Sequence, residues 1–100
     1  MSATGIWNAS IISLMGKNPV RFDLVETAGM ITGTATGEGE TVPVIGGRAD
    51  GDDLVWDMSI TRPTRMNLRV KVHVSGNTLE GTNQAKLFPA ARVVGARSNS

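Results

Sequence analysis

No cysteine occurs anywhere in this chain of 100 residues. That removes disulfide bridges, thiolate metal ligands and cysteine nucleophiles together, and with them the small secreted modules that depend on stapling. Net charge is almost absent: ten basic against nine acidic residues leave +1, so no field draws the chain to nucleic acid or to an anionic membrane. The single histidine, His73, cannot build a metal site of the usual His/Cys kind. Asp50, Asp52 and Asp53 surround Gly51 but lack the closing glutamate of a calcium loop, and read as a turn. No apolar run approaches the roughly 18 residues a membrane-spanning helix needs. The opening stretch MSATGIWNASIISLMGK has neither the basic start nor the apolar core of a secretory leader. A cytoplasmic location is therefore expected. Neither a phosphate-binding glycine loop nor a Gly-x-Ser-x-Gly elbow is present, and no metal or cofactor is expected.

Amphipathic helices are missing as well. No window keeps apolar residues at i, i+3, i+4 and i+7, whereas alternation with period two recurs. In MNLRVKVHV, Met66, Leu68, Val70, Val72 and Val74 take one face; Asn67, Arg69, Lys71 and His73 take the other. DLVWDMSI repeats the pattern, with Leu54, Trp56, Met58 and Ile60 together. Such segments are half-buried antiparallel strands. Twelve glycines spread along the chain punctuate them, and GKNP (16–19), TAG (27–29), GEGE (37–40), DGDD (50–53), RPT (62–64), SGN (75–77) and FPA (88–90) are turn chemistry. The spacing predicts strands over 5–15, 20–27, 30–36, 41–49, 53–61, 65–75, 78–87 and 91–97 in a single domain, residues 1–100. The connections are too short for parallel crossovers. The expected fold is thus all-β: an eight-stranded antiparallel up-and-down β-barrel, which leaves no open edge. A sandwich of two sheets is the alternative.

Gly5-Ile6-Trp7 opens the first strand and Arg97 ends the last. In a closed barrel those strands are neighbours, so a guanidinium can cover the ring of a tryptophan plugging one end. This combination resembles the calycin superfamily, which includes the lipocalins, fatty-acid-binding proteins and the avidin/streptavidin group. Its barrels start with Gly-x-Trp and carry a late basic residue across the ring. ITGTATG is similar to a step in streptavidin-like second hairpins, and VPVIGGRADGDDLVW, VSGNTLEGT and LFPAARVVGAR are similar to small bacterial lipocalin-like domains. The resemblance implies a barrel holding a small hydrophobic molecule. It does not extend to biotin, because the asparagine that group places two residues after the tryptophan is Ala9 here.

With Trp7 inward, Ala9, Ile11, Ser13 and Met15 follow it; Val20, Phe22, Leu24 and Glu26 line the second strand, and Ile31, Gly33 and Ala35 the third. Gly46 and Gly47 imply a bulge that flips the phase of the fourth strand and leaves Arg48 ambiguous. Leu79, Gly81, Asn83, Ala85 and Leu87, then Val93, Gly95 and Arg97, complete the interior. Small residues facing large ones mean either an interlocked core or a cavity with adaptable methionine walls. For the cavity, Ser13, Phe22, Trp56, Met58, Met66 and Asn83 are the candidate ligand contacts, and Trp7 with Arg97 the structural plug. A buried Asn83 amide needs a partner: a ligand, a water or Ser13. A small lyase, isomerase or cyclase in the same cavity is the alternative function, with Glu26 as its acid or base and Asn83 as the polarising donor. The outward apolar residues Ile6, Ile12, Leu14, Val25, Val55 and Val94 suggest a homodimer.

Overall fold

The computed structural model describes residues 2–14, 16–61, 64–86 and 89–98. The inward positions expected for Met15 and Leu87, and the turn residues Arg62, Pro63 and Phe88, lie outside the described residues. Period-two alternation becomes nine strands: β1 (Gly5–Ser13), β2 (Gly16–Thr27), β3 (Met30–Gly37), β4 (Glu40–Pro43), β5 (Ile45–Asp50), β6 (Asp53–Ile60), β7 (Met66–Ser75), β8 (Thr78–Ala85) and β9 (Ala91–Arg97). All pairings are antiparallel, and β1 pairs with both β2 and β9, closing the sheet on itself. β4 and β5 pair with successive stretches of β3 and form one interrupted stave. The result is a closed eight-stranded up-and-down barrel with one extra strand. The sandwich alternative is excluded by this closure.

The interruption follows from two glycines. Thr34 faces Pro43 on β4, whereas Ile31 faces Gly47 on β5, a shift of one residue. Gly46 takes the extra step with φ +60. Val42 is inward before the bulge, and Gly47 and Ala49 after it, which is the phase flip the sequence implied. Arg48 is thereby turned outward and exposed.

One turn falls elsewhere than expected. GKNP is not a loop: β2 begins at Gly16, and Pro19 stands in the strand opposite Ser10. β2 pairs with β3 only from Arg21 onward, so Pro19 lies where β2 has no β3 partner. A strand edge needs no amide donor, which is where a sheet tolerates proline.

The interior is Trp7, Phe22, Leu24, Ile31, Leu54, Trp56, Val70, Val93 and their neighbours, all buried. Burying each large apolar side chain contributes about 1.5–3 kcal/mol. The inward glycines do not leave room beside them. A Cβ on Gly33 would lie 1.8 Å from the Asp23 carbonyl oxygen, on Gly47 2.3 Å from that of Ile31, and on Gly81 1.9 Å from that of Lys71. At each, the neighbouring strand's backbone occupies the space a side chain would take. These glycines coil the sheet tightly enough to close a small barrel. They are corners of the wall; for Gly33 and Gly81 the sequence offered core interlock or cavity lining, whereas the neighbouring backbone fills the space beside them.

Candidate functional site

The barrel has two unlike ends. At one end lie both described chain termini and the turns at 28–29, 51–52 and 76–77. Trp7 is fully buried there, and its Nε1 donates to the Ala3 carbonyl at 2.9 Å. The Arg97 guanidinium sits 4.3 Å from the Trp7 ring centroid. Its nitrogens also donate to the carbonyls of Thr4 and Ser2 and to Asn77 Oδ1. Glu26, half-buried on the rim, accepts from the Ala3 amide at 2.8 Å, while its own amide donates to Thr4 Oγ1 at 3.0 Å. Trp7, Arg97 and Glu26 thus tie residues 2–4 across this end as a lid.

The middle is filled from opposite walls. Phe22 on β2 meets Trp56 on β6 edge to face, with ring centroids 5.1 Å apart and planes at 77°, the geometry favoured by aromatic quadrupoles. That contact fixes the Trp56 indole, which is 1% exposed. Its Nε1–H finds no acceptor in the protein. Asn83, on β8, is the only buried polar residue among those described, and its Oδ1 has no donor in the protein. The two are linked through one residue: Trp56 stands opposite Val70, and Val70 opposite Asn83. Two strand spacings place their Cα atoms about 10 Å apart on the same inner wall. A donor and an acceptor without partners in the protein therefore share one stretch of apolar interior. Such atoms cost about 1–3 kcal/mol each when left unsatisfied.

Trp7, Phe22, Val70 and Val93 are sealed, whereas Val42, Leu68, Val74, Asn83 and Ala85 retain 7–8%. Val74 lies beside the 76–77 turn at the Trp7 end; the other four lie toward the opposite end, where Ile11, Val20, Ile60 and Met66 are partly buried against the core. Met58 is buried below Met66 on the same side. Ser13 is exposed on that rim, at the end of β1. Of the residues singled out from sequence, the structure thus brings Phe22, Trp56, Met58, Met66 and Asn83 to one interior, with Ser13 at its edge. It leaves Glu26 at the opposite end, in the lid. Sequence reasoning found Asn83 because a polar residue interrupts an inward phase. It named Trp56 for its ring but missed its unpaired N–H, which depends on packing that no local pattern encodes.

The outer wall carries the charge. Arg69 Nε donates to Asp57 Oδ1 at 2.8 Å, holding the Asp57 carboxyl below its usual range. His73 Nδ1 lies 2.8 Å from Asp53 Oδ1, and that hydrogen bond raises the imidazole above its ordinary value. Both pairs are exposed. An open hollow of about 630 Å³ runs over β5 to β8, where Arg48 and Lys71 alternate with Asp50, Asp53 and Glu80. Of the outward apolar residues, Leu14, Val25 and Ile12 are exposed, whereas Ile6, Val55 and Val94 are half-buried.

Fold and site together define a small closed up-and-down β-barrel with one plugged end and an apolar interior bearing an unpaired donor and acceptor. No known protein family, curated protein or solved structure matches the chain.

Proposed function

We propose that this barrel is a calycin-like binding protein that takes a small, largely hydrophobic molecule into the half of its interior away from Trp7. One observation carries the reading: Trp56 Nε1 and Asn83 Oδ1 are buried on the same wall without partners in the protein. Small-molecule sites combine an apolar lining with a few convergent polar groups, and this interior has that composition. The plugged end supports the reading too, because a lid at one end leaves a single direction of access. The outward faces of β6 and β7 present Asp57, Arg69, Lys71 and His73, a polarity suited to a wall in water and opposed to one facing lipid.

Binding is favoured over chemistry by the same geometry. Catalysis in a dry barrel needs an acid or base inside it. Among the described residues the buried set contains no Asp, Glu, His, Lys or Arg, and the carboxylate of Glu26 is engaged by the Ala3 amide in the lid. Native mass spectrometry of the purified protein, gently desolvated and then denatured, tests the proposal. A released molecule of defined mass and apolar character is the expected result. A bare chain mass, together with no uptake of any apolar probe, would refute it.

A further inference from the structure

Resting on that reading, we propose that the interior selects an uncharged head group that both accepts and donates a hydrogen bond, a carboxamide or an alcohol, and rejects carboxylates. The indole Nε1–H of Trp56 can only donate. The Oδ1 of Asn83 can only accept. Both are buried without partners in the protein, so a ligand that satisfies both carries an acceptor and a donor. A bare hydrocarbon satisfies neither. A carboxylate offers acceptors alone and brings a charge that needs a counter-ion when it leaves water. None is at hand: Arg69 and Lys71 point outward, and Arg97 is committed to the Trp7 ring and the carbonyls of residues 2 and 4. An ammonium meets a like difficulty, since no carboxylate is buried among the described residues. The preference for a neutral head group is thus written into where the cations are kept.

The two tryptophans supply an internal control. The Trp7 indole N–H is already bonded to Ala3, whereas that of Trp56 is free within the protein. In a two-dimensional ¹H–¹⁵N spectrum they give two indole cross-peaks. The protein is titrated at pH 7 with hexanamide, 1-hexanol, hexanoate, hexylamine and hexane. Hexanamide and hexanol are expected to move the Trp56 indole peak downfield and leave that of Trp7 in place. Hexanoate and hexylamine are expected to bind at least tenfold more weakly, in line with leaving a buried polar pair unpaired. In Asn83→Leu the advantage of the amide over hexane should shrink about tenfold.

The outcomes separate the two levels of the argument. If none of the five compounds shifts any interior resonance, the binding reading itself fails and this inference with it. If hexanoate binds as well as hexanamide, the binding reading stands and the head-group inference is overturned. If hexane matches hexanamide in the wild type, the polar pair is served by a retained water and the inference is likewise overturned.

Discussion

Substituting Gly81 by alanine tests whether the small inward residues line a space or turn a corner. Gly81 faces Val72 in the β7–β8 ladder, and its added Cβ would lie 1.9 Å from the Lys71 carbonyl oxygen and 2.7 Å from the Val72 Cα. Both are backbone atoms, so no side chain can rotate away. Reaching ordinary contact would force β7 and β8 apart by more than an ångström over the pairs from Lys71↔Thr82 to His73↔Glu80. Two or three ladder hydrogen bonds would be broken or stretched, at about 1–3 kcal/mol for each group left buried and unpaired. The expected loss is about 4 kcal/mol, a large share of the roughly 5–15 kcal/mol that holds a domain of this size. Gly76→Ala is the control: its φ is +61 with nothing within 4 Å of the new Cβ, so it carries only the left-handed penalty of about 1–2 kcal/mol. Urea unfolding followed by tryptophan fluorescence separates them. With a slope near 1–1.5 kcal/mol/M, the midpoint of Gly81→Ala should fall by about 3 M or the transition should vanish. A cavity-lining glycine would behave in the opposite sense, because a methyl group would fill empty space. A midpoint for Gly81→Ala at or above that of Gly76→Ala would refute the corner assignment and restore the roomier barrel.

Three further outcomes are expected. Arg97→Ala should lower stability by about 2 kcal/mol by urea unfolding, since it loses the cation–π contact with Trp7 and the bonds to Thr4, Ser2 and Asn77, and amide exchange should rise first in residues 2–6. His73, the lone histidine, should titrate by proton NMR above its ordinary value and return toward it in Asp53→Asn, because the Asp53 hydrogen bond favours the charged ring, with smaller help from Asp52 and Glu80. A raised folded value means the contribution is full below the unfolded value near 6.5 and is lost as pH climbs through the folded one; a wild-type titration at or below the ordinary value would contradict the pairing. Ala28→Asn should raise stability by about 0.5–1 kcal/mol, since Ala28 and Gly29 form the β2–β3 turn at φ 51 and 78, a geometry in which asparagine is at ease and alanine is not.

The wall of the barrel was legible because each strand has one buried face. Alternation in 66–74 and 53–60 places every residue on its side, and a slip of one position would expose the whole set. The bulge at Gly46 was legible for the same reason, as two adjacent glycines inside a strand pattern seldom serve another purpose. Pro19 misled because turn composition reports what a residue can do, and not whether a neighbour strand reaches that far. The inward glycines misled more deeply. A small side chain looks the same in sequence whether it faces a void or another strand's backbone, and only the coil of the sheet decides. Glu26 shared the inward phase of β2 yet belongs to the lid, because its partners, Ala3 and Thr4, come from a stretch with no periodicity to read.

The polar straps of this barrel sit where its wall is weakest. A meander joins each pair of neighbouring strands by a turn, except where the first strand meets the last. Here that seam is β1 with β9, paired from Trp7↔Arg97 to Ile12↔Arg92 with no covalent turn between them. Arg97 stands at its end and grips the chain before β1 and the turn between β7 and β8 together. The second weak line is the interrupted stave, where β5 pairs with β3 at Met30↔Arg48 and Ile31↔Gly47, with Val44 and Ala49 donating to the Gly33 and Gly29 carbonyls on either side. Glu40, at the start of β4, takes the amide of Thr61 at 2.9 Å and its hydroxyl as well, bridging to the end of β6. The first strap locks the plugged end. The second crosses the rim at the end where Asn83 and Leu68 keep their residual exposure. If the barrel takes up a molecule as proposed, the Glu40–Thr61 strap beside the bulge and the Arg97 clamp on the seam predict opening at the stave end, away from Trp7. Glu40→Ala should accordingly speed ligand uptake and release with little effect on amide exchange at the Trp7 end, whereas Arg97→Ala should do the reverse. Equal effects of both substitutions at both ends would mean that the barrel opens as a whole, and not at one stave.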